Sequence, residues 1–150
     1  MAKSLLNKLG FRRNEGISKF KNLDGPPPNA TKLPGFEGIF WSNKGTLVHK
    51  WHHYLPIYEK YFSPYREANP KFLEIGVSKG GSLALWRKYF GSKATIFGID
   101  RDQACQALDG DSGQVRIGSQ DDPDFLKNVV SEMGGVDIIL DDGSHISKHI

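Results

Sequence analysis

FLEIGVSKGGS, residues 72–82, carries the strongest structural signal in this sequence. Its first four residues form a short apolar run that is typical of a buried strand, and the run stops at Gly76. The glycines that follow allow the backbone to turn sharply and to approach a ligand without obstruction from a Cβ atom. From Gly81 to Phe90 the apolar residues recur with helical spacing. The segment therefore predicts a strand, a tight turn and a helix.

The same alternation of strand and helix continues toward the C-terminus. Because strands joined by crossover helices form parallel sheets covered on both faces, we predict an α/β fold of about four strands. Ligands bind to such sheets outside the carboxyl ends of the strands. The predicted elements are strands at 72–75, 95–99, 114–117 and 136–140, a short helix at about 102–108, a helix that Asp122 caps before Pro123, and a new helix from about Ser144.

The first part of the chain predicts a different organisation. Residues 20–45 are predicted to be irregular, because they contain prolines at 26–28 and the turn signal Leu33-Pro34-Gly35. We therefore divide the chain into a basic arm with a Pro-rich irregular segment at 1–45 and a folded α/β unit at 46–150.

Residues 46–62 predict a helix, which Pro56 kinks or divides in two. The apolar residues in it recur at steps of three and four, as one buried stripe of a helix requires. These residues are Leu47, Trp51, Tyr54, Tyr58 and Phe62.

Composition and charge narrow the class of protein. The chain has 150 residues, enough for about one domain, and a formal net charge of +3. Residues 1–22 carry six Lys and Arg against one Glu, and the remainder is weakly acidic, without the basic stripe that nucleic-acid binding requires. A single cysteine, Cys105, excludes an internal disulfide and favours a reducing cytoplasm. No apolar run is long enough for a transmembrane segment. The composition leaves open whether the protein forms a homo-oligomer.

Two polar positions at predicted strand ends suggest a ligand site. Glu74 lies two residues before Gly76, where it would attract a cationic group rather than a pyrophosphate. The spacing from Gly76 to Gly80 also departs from the dinucleotide pattern G-x-G-x-x-G. Asp100 closes the next strand, where a carboxylate can accept hydrogen bonds from ribose hydroxyls or simply cap a turn.

The third polar cluster is DDGSH, residues 141–145, after the fourth predicted strand. Carboxylate oxygens are suitable ligands for a hard cation, and an imidazole can accept a proton near neutral pH. From the residues alone, we favour the opposite interpretation, in which Asp141 and Asp142 cap a helix and His145 is solvated.

These motifs together resemble the class I S-adenosylmethionine (SAM)-dependent methyltransferases, which have a Rossmann-like fold. The segments EIGVSKGGSL, WRKYFG, GID and ILDDGSH resemble segments of the macrocin and mycinamicin sugar O-methyltransferase group. Cephalosporin hydroxylase-like proteins are close relatives of that group. The similarity covers about residues 41–150. It implies SAM as cofactor, a divalent metal (Mg²⁺) in the complete protein and a small hydroxylated substrate such as a sugar or a glycosylated natural product.

The resemblance also implies roles for individual residues. Glu74 would lie near the ammonium group of the cofactor, Asp100 would hold its ribose, and Asp142 and His145 would act as metal ligand and general base. The segment His52-His53-Tyr54 is similar to a segment that, in the resembling family, lies near the opening of the cofactor site. The other implied cofactor-binding residues are Gly76, Ser78, Gly80, Gly81, Gln120 and Asp141.

Two further functions stay open at this point. A nicotinamide-dependent oxidoreductase shares the strand–turn–helix start, and Arg101 after Asp100 would suit a 2′-phosphate. A non-catalytic binding module is favoured by Asn43 and Ser119, which stand where the resembling family has acidic residues. Because four strands are fewer than the seven of such methyltransferases, we expect the chain to be a fragment that is inactive alone.

Overall fold

A four-stranded parallel sheet forms the centre of the computed structural model, which describes residues 26–144. The strand order is β3-β2-β1-β4, and every pairing is parallel. This confirms the predicted fold class. The chain moves from β1 outward to β3 and then returns to the other side of β1, so the topological switch point lies between β1 and β4. The strands are β1 (Lys71–Ile75), β2 (Thr95–Asp100), β3 (Gln114–Ile117) and β4 (Ile138–Asp141).

Within residues 26–144, four α-helices accompany the sheet. The predicted cap of the last helix is present, because the Asp122 side chain accepts hydrogen bonds from the backbone N–H groups of Asp124 and Phe125 at 3.0 and 3.1 Å. Single-turn 3₁₀ helices lie at Ala30–Lys32, His52–Tyr54 and Ser63–Tyr65, and a longer one lies at Gln103–Leu108. The α-helices are α1 (Gly35–Trp41), α2 (Leu55–Phe62), α3 (Gly81–Phe90) and α4 (Pro123–Met133).

The two faces of the sheet have separate cores because side chains alternate along each strand. Phe72 of β1 belongs to the core that α1, α2 and α3 cover, and the adjacent Leu73 belongs to the core under α4. Trp86 of α3 is fully buried at the centre of the first core. Val129 and Met133 of α4 are buried in the second. The sheet is therefore covered on both sides, as a parallel sheet requires.

The prediction that residues 20–45 are irregular is wrong for α1. Pro34 and Gly35, interpreted as a turn, stand at the start of this helix instead. Phe36 is fully buried and stacks on Trp86 with a ring-centroid distance of 4.3 Å. The Phe36 N–H donates to the Glu59 carboxylate at 2.7 Å, which joins α1 to α2. The packed unit therefore includes α1.

The single helix predicted over 46–62 is also wrong in its first half. Residues 46–50 have no regular structure, and α2 begins only at Leu55. Pro56 lies in the first turn of α2, where its missing N–H leaves no hydrogen bond unmade, so it neither kinks nor divides the helix. Leu47 and Trp51, two members of the predicted buried stripe, are exposed.

Residues 46–48 pass over the start of α3. A Cβ atom at Gly81 would lie 2.5 Å from the Leu47 carbonyl oxygen, so only glycine permits this close approach. No helix within residues 26–144 is both long and apolar enough to cross a membrane. His145, the helix expected from Ser144 onward and the basic arm lie outside the described residues.

Removing the Phe36 ring should test whether α1 is an integral part of the fold. We expect Phe36→Ala to lower the free energy of unfolding by about 3–5 kcal/mol, because a buried aromatic ring leaves a cavity. Urea denaturation measures the change. The matched control is Tyr61→Ala, since this ring is 59% exposed and its loss should stay within about 0.5 kcal/mol. Equal effects of the two substitutions would show that α1 is not packed.

Candidate functional site

A cavity of about 480 Å³ opens at the carboxyl ends of β1, β2 and β4, beside the switch point. Its walls are the glycine-rich loop after β1, the residues that follow the other two strands, and the 47–50 segment. A volume of this size is typical of a site for a small molecule or cofactor. Of the predicted site residues, Gly76, Ser78, Gly81, Asp100, Gln120 and Asp142 line the cavity, whereas Glu74, Gly80 and Asp141 do not.

The glycine-rich loop approaches the end of β4 closely. Gly76 has a φ of +93°, and a Cβ atom there would lie 2.6 Å from the Asp142 carbonyl oxygen. Gly80, with a φ of +75°, stands immediately before the first turn of α3. Both positions therefore require glycine, one for contact with the neighbouring chain segment and one for the turn into the helix.

Asp100 anchors this loop. One of its carboxylate oxygens accepts hydrogen bonds from the backbone N–H groups of Val77 and Ser78, both at 2.9 Å. The other accepts from the N–H of Asp102, also at 2.9 Å. Burial would raise the pKa of Asp100, but the three backbone donors hold the pKa below its ordinary value. The first structural role of the carboxylate is thus to fix the loop, while its ribose-binding role stays a prediction.

Cys105 supports the same loop from beneath. Its buried thiol donates to the Ser78 carbonyl oxygen at 3.2 Å. Burial and the nearby Asp100 carboxylate raise the pKa of the thiol to about 11. The thiol is therefore protonated near neutral pH and acts as a packing group rather than a nucleophile.

Glu74 is a fully buried carboxylate in the middle of the sheet. Its Oε1 atom accepts hydrogen bonds from Ser82 Oγ at 2.5 Å and from Trp86 Nε1 at 3.3 Å. Its Oε2 atom is buried and has no hydrogen-bond partner among residues 26–144. Because a buried carboxylate without a compensating donor is costly, this oxygen indicates a place for a positively charged or hydrogen-bonding group.

Lys50 is the residue that sequence reasoning missed. Its Nζ atom lies 3.0 Å from Glu74 Oε1 and 2.5 Å from Asp142 Oδ2, and its side chain is almost completely buried. Burial would lower the pKa of Lys50, but the two carboxylates raise the pKa above its ordinary value. No local pattern distinguishes this lysine, because its partners lie 24 and 92 residues away in the sequence.

Asp141 and Gln120 stabilise the turn after β4. The Gln120 side-chain amide donates to Asp141 Oδ2 at 3.2 Å and accepts from the Ser144 N–H at 3.1 Å. Asp141 Oδ1 also accepts from the Gly143 N–H at 3.0 Å. This network sets the position of Asp142 at the cavity, while His145 lies beyond the described part of the chain.

The carboxylates near the cavity do not form a metal site by themselves. Within residues 26–144, no three His, Cys, Asp or Glu side chains are grouped closely enough to hold a metal ion. Asp142, the predicted metal ligand, forms an ion pair with Lys50, and its role as a metal ligand stays a prediction.

Comparison with known proteins identifies the relatives of this chain. It is 41% identical over 106 residues to 8-demethyl-8-(2-methoxy-alpha-L-rhamnosyl)-tetracenomycin-C 3'-O-methyltransferase from Streptomyces olivaceus, a match that covers 66% of the chain and 27% of that protein. It is 34% identical over 127 residues to 8-demethyl-8-alpha-L-rhamnosyl tetracenomycin-C 2'-O-methyltransferase from the same organism. This match covers 79% of the chain and 32% of that protein. The chain is a partial homologue of the sugar O-methyltransferases. No family model matches the sequence.

A solved structure agrees with this relationship. The chain is similar to the MycE methyltransferase of the mycinamycin pathway in complex with Mg, SAH and mycinamycin VI, with a TM-score of 0.62 and 30% identity. That match covers 79% of the chain and 32% of MycE. The resemblance to the macrocin and mycinamicin group of sugar O-methyltransferases is therefore confirmed. The chain spans about a third of the length of these methyltransferases.

Removing the Lys50 charge should destabilise the fold. In Lys50→Met the Glu74 carboxylate stays buried without a cation, so we expect the free energy of unfolding at pH 7 to fall by about 3–5 kcal/mol. Lys79→Met, an exposed lysine on the same cavity, should stay within about 0.5 kcal/mol. Adding Glu74→Gln to Lys50→Met should recover part of the loss. If both lysine substitutions were equally harmless in urea denaturation, the buried ion pair would be absent.

Asp100→Asn should show a pH-dependent loss of stability. Because the pKa of Asp100 is lowered by folding, its carboxylate stabilises the fold above about pH 4, and this contribution is lost as the pH falls through the folded-state pKa. We expect a loss of about 1–3 kcal/mol at pH 7 and a smaller difference from wild type near pH 2.5. Urea midpoints at the two pH values measure it. Asp124→Asn on the exposed surface is the control. If the difference in stability between Asp100→Asn and wild type grew at low pH, the stabilising role of the Asp100 carboxylate would be contradicted.

Proposed function

We propose that the cavity binds SAM and that the complete protein transfers the SAM methyl group to a hydroxyl of a small sugar-bearing substrate. The observation that carries this proposal is the cavity at the switch point, where the glycine-rich loop meets Asp100 and the buried Glu74–Lys50 pair. The homology to sugar O-methyltransferases supports the reaction class.

The residues around the cavity fit such a cofactor. The glycine-rich loop forms one wall of the cavity. The start of α3 offers backbone N–H groups to a carboxylate. The buried Oε2 of Glu74, which has no hydrogen-bond partner among residues 26–144, suits a nearby ammonium group. Asp100 would then receive the ribose, and Gln120 would lie on the adenine side.

The chemistry divides between the cofactor and the chain. Bound SAM supplies a methyl group on a positively charged sulfur. The substrate hydroxyl forms the new C–O bond while the C–S bond breaks, and the hydroxyl proton passes to a base, for which the resemblance selects His145. The described residues contribute binding and orientation, which account for most of the rate in reactions of this kind.

We propose that a divalent metal, if the complete protein uses one as MycE does in its complex with Mg, draws ligands from outside residues 26–144. Within this part, Asp142 is the single predicted ligand, and it shares the Lys50 ammonium group with Glu74. For this reason none of the steps above depends on a metal.

The names of the relatives indicate the substrate class. Two of them are named for methylation of a rhamnosyl group on tetracenomycin. We propose that this protein likewise methylates a deoxysugar hydroxyl on a small natural product, in the cytoplasm, where Cys105 stays a free thiol.

Calorimetric titration with S-adenosylhomocysteine (SAH) tests the cofactor assignment. We expect saturable binding of SAH to this chain, weakened at least tenfold in Asp100→Ala, because the substitution removes both the ribose acceptor and the loop anchor. Asp124→Ala, on the exposed surface of α4, is the matched control and should bind SAH within about twofold of wild type. Circular dichroism confirms that each variant is folded.

NADP⁺ serves as the competing ligand in the same titration. We expect no saturable binding of NADP⁺, since the spacing of Gly76 and Gly80 departs from the dinucleotide pattern. Binding of NADP⁺ in place of SAH would assign the cavity to an oxidoreductase. A folded chain that bound neither ligand would favour a module that has lost its cofactor site.

A further inference from the structure

Ser78 has an unusual backbone conformation at the wall of the cavity. Its φ of +51° lies in the left-handed region, which a residue with a side chain rarely adopts. Ser78 is the first central residue of a tight turn, in which the Gly80 N–H donates to the Val77 carbonyl oxygen at 2.9 Å. Turns with a positive φ at this position favour glycine, asparagine or aspartate. Because the conformation is costly for serine, contacts with neighbouring residues must hold it.

Two polar contacts hold Ser78 from opposite sides. Its N–H donates to Asp100 Oδ2 at 2.9 Å, and its carbonyl oxygen accepts a hydrogen bond from Cys105 Sγ at 3.2 Å. The N–H belongs to the peptide plane before the Ser78 Cα atom, and the carbonyl belongs to the plane after it. Since fixing both planes fixes both backbone dihedral angles, Asp100 and Cys105 together set the conformation of Ser78. We call these two side chains the Ser78 clamp.

The 3₁₀ helix at Gln103–Leu108 carries the thiol to this place. It begins after Asp102, whose side chain caps it and whose N–H donates to Asp100 Oδ1 at 2.9 Å. The Cys105 N–H donates to the Asp102 carbonyl oxygen at 3.0 Å. The Asp100 carboxylate therefore fixes both the N–H of Ser78 and the start of the helix that carries the other half of the clamp.

Packing alone does not account for a thiol at this position. Cys105 is buried in the core that α3 covers, where an apolar side chain of similar size would fill the same space. Because burial raises its pKa, the thiol keeps its proton near neutral pH and remains a donor. Leu108 of the same 3₁₀ helix lies against the loop at Gly80, where an added Cβ atom would come within 3.1 Å of Leu108 Cδ1. The hydrogen bond to Ser78 is thus the specific contribution of the thiol.

We propose that Cys105 is a positioning residue for the cofactor, because its hydrogen bond holds Ser78 in the left-handed conformation and keeps the loop in the shape that binds SAM. This inference rests on the proposed function, since the loop forms a wall of the cavity assigned to SAM. Without the thiol, Ser78 can relax to a negative φ. Only the fraction of molecules with the loop in its binding shape would then accept the cofactor, which weakens the apparent affinity.

Calorimetric titration with SAH tests the hydrogen bond through three variants. We expect Cys105→Val, which keeps the volume and loses the donor, to weaken SAH binding about three- to tenfold, the effect of one lost hydrogen bond. Cys105→Ser keeps a donor and should bind SAH within twofold of wild type. Val129→Ala controls for a general loss of stability, because Val129 is buried in the core on the other face of the sheet. Its SAH affinity should also stay within twofold.

Ser78→Gly distinguishes positioning from packing. Glycine adopts a positive φ readily and depends less on the clamp. We therefore expect Cys105→Val to weaken SAH binding less than twofold when it is introduced into Ser78→Gly. A role of Cys105 in packing alone would give the same loss with serine and with glycine at position 78. Equal losses, or a Cys105→Ser variant that binds SAH as weakly as Cys105→Val, would overturn the proposal.

Amide hydrogen exchange at Ser78, followed by NMR without a ligand, tests the clamp independently of the cofactor. We expect the Ser78 N–H to exchange about three- to tenfold faster in Cys105→Val, and within twofold of wild type in Cys105→Ser and Val129→Ala. Unchanged exchange in Cys105→Val would overturn the proposal even if SAH binds. If exchange responds as expected but SAH does not bind to the wild-type chain, the proposed function fails while the hold of Cys105 on Ser78 stands.

Discussion

Glu74 places a negative charge inside the sheet, and the surrounding structure compensates it. The carboxylate receives donors from Ser82 and Trp86 of α3 and a cation from Lys50 of the preceding segment. Since a buried charge is stable only when it is paired, these contacts tie the segment before β1 to the helix after it. Lys50 then reaches Asp142 after β4, so one buried carboxylate joins three separate parts of the chain.

Close packing of the backbone adds a second constraint at the same place. Gly76 lies against the segment after β4, and Gly81 lies against the segment at 46–48. Asp100 fixes the loop between them through two backbone N–H groups. The electrostatic and steric constraints thus act on one loop, which forms one wall of the cavity.

The Lys50–Asp142 pair separates two spaces of different chemistry. On one side are glycines, Asp100 and the start of α3, and on the other are aromatic rings. The chain covers about a third of its methyltransferase relatives, and both spaces lie within that third.

Local patterns in the sequence were sufficient for the strands, for α3, for the Asp122 cap and for the glycine-rich loop, because each depends on neighbouring residues. They failed for α1, whose start resembles a turn, and for residues 46–51, whose helical spacing of apolar residues is overridden by packing against Gly81. They could not reveal the role of Lys50. The partners of Lys50 lie 24 and 92 residues away, so only the folded sheet brings these charges together.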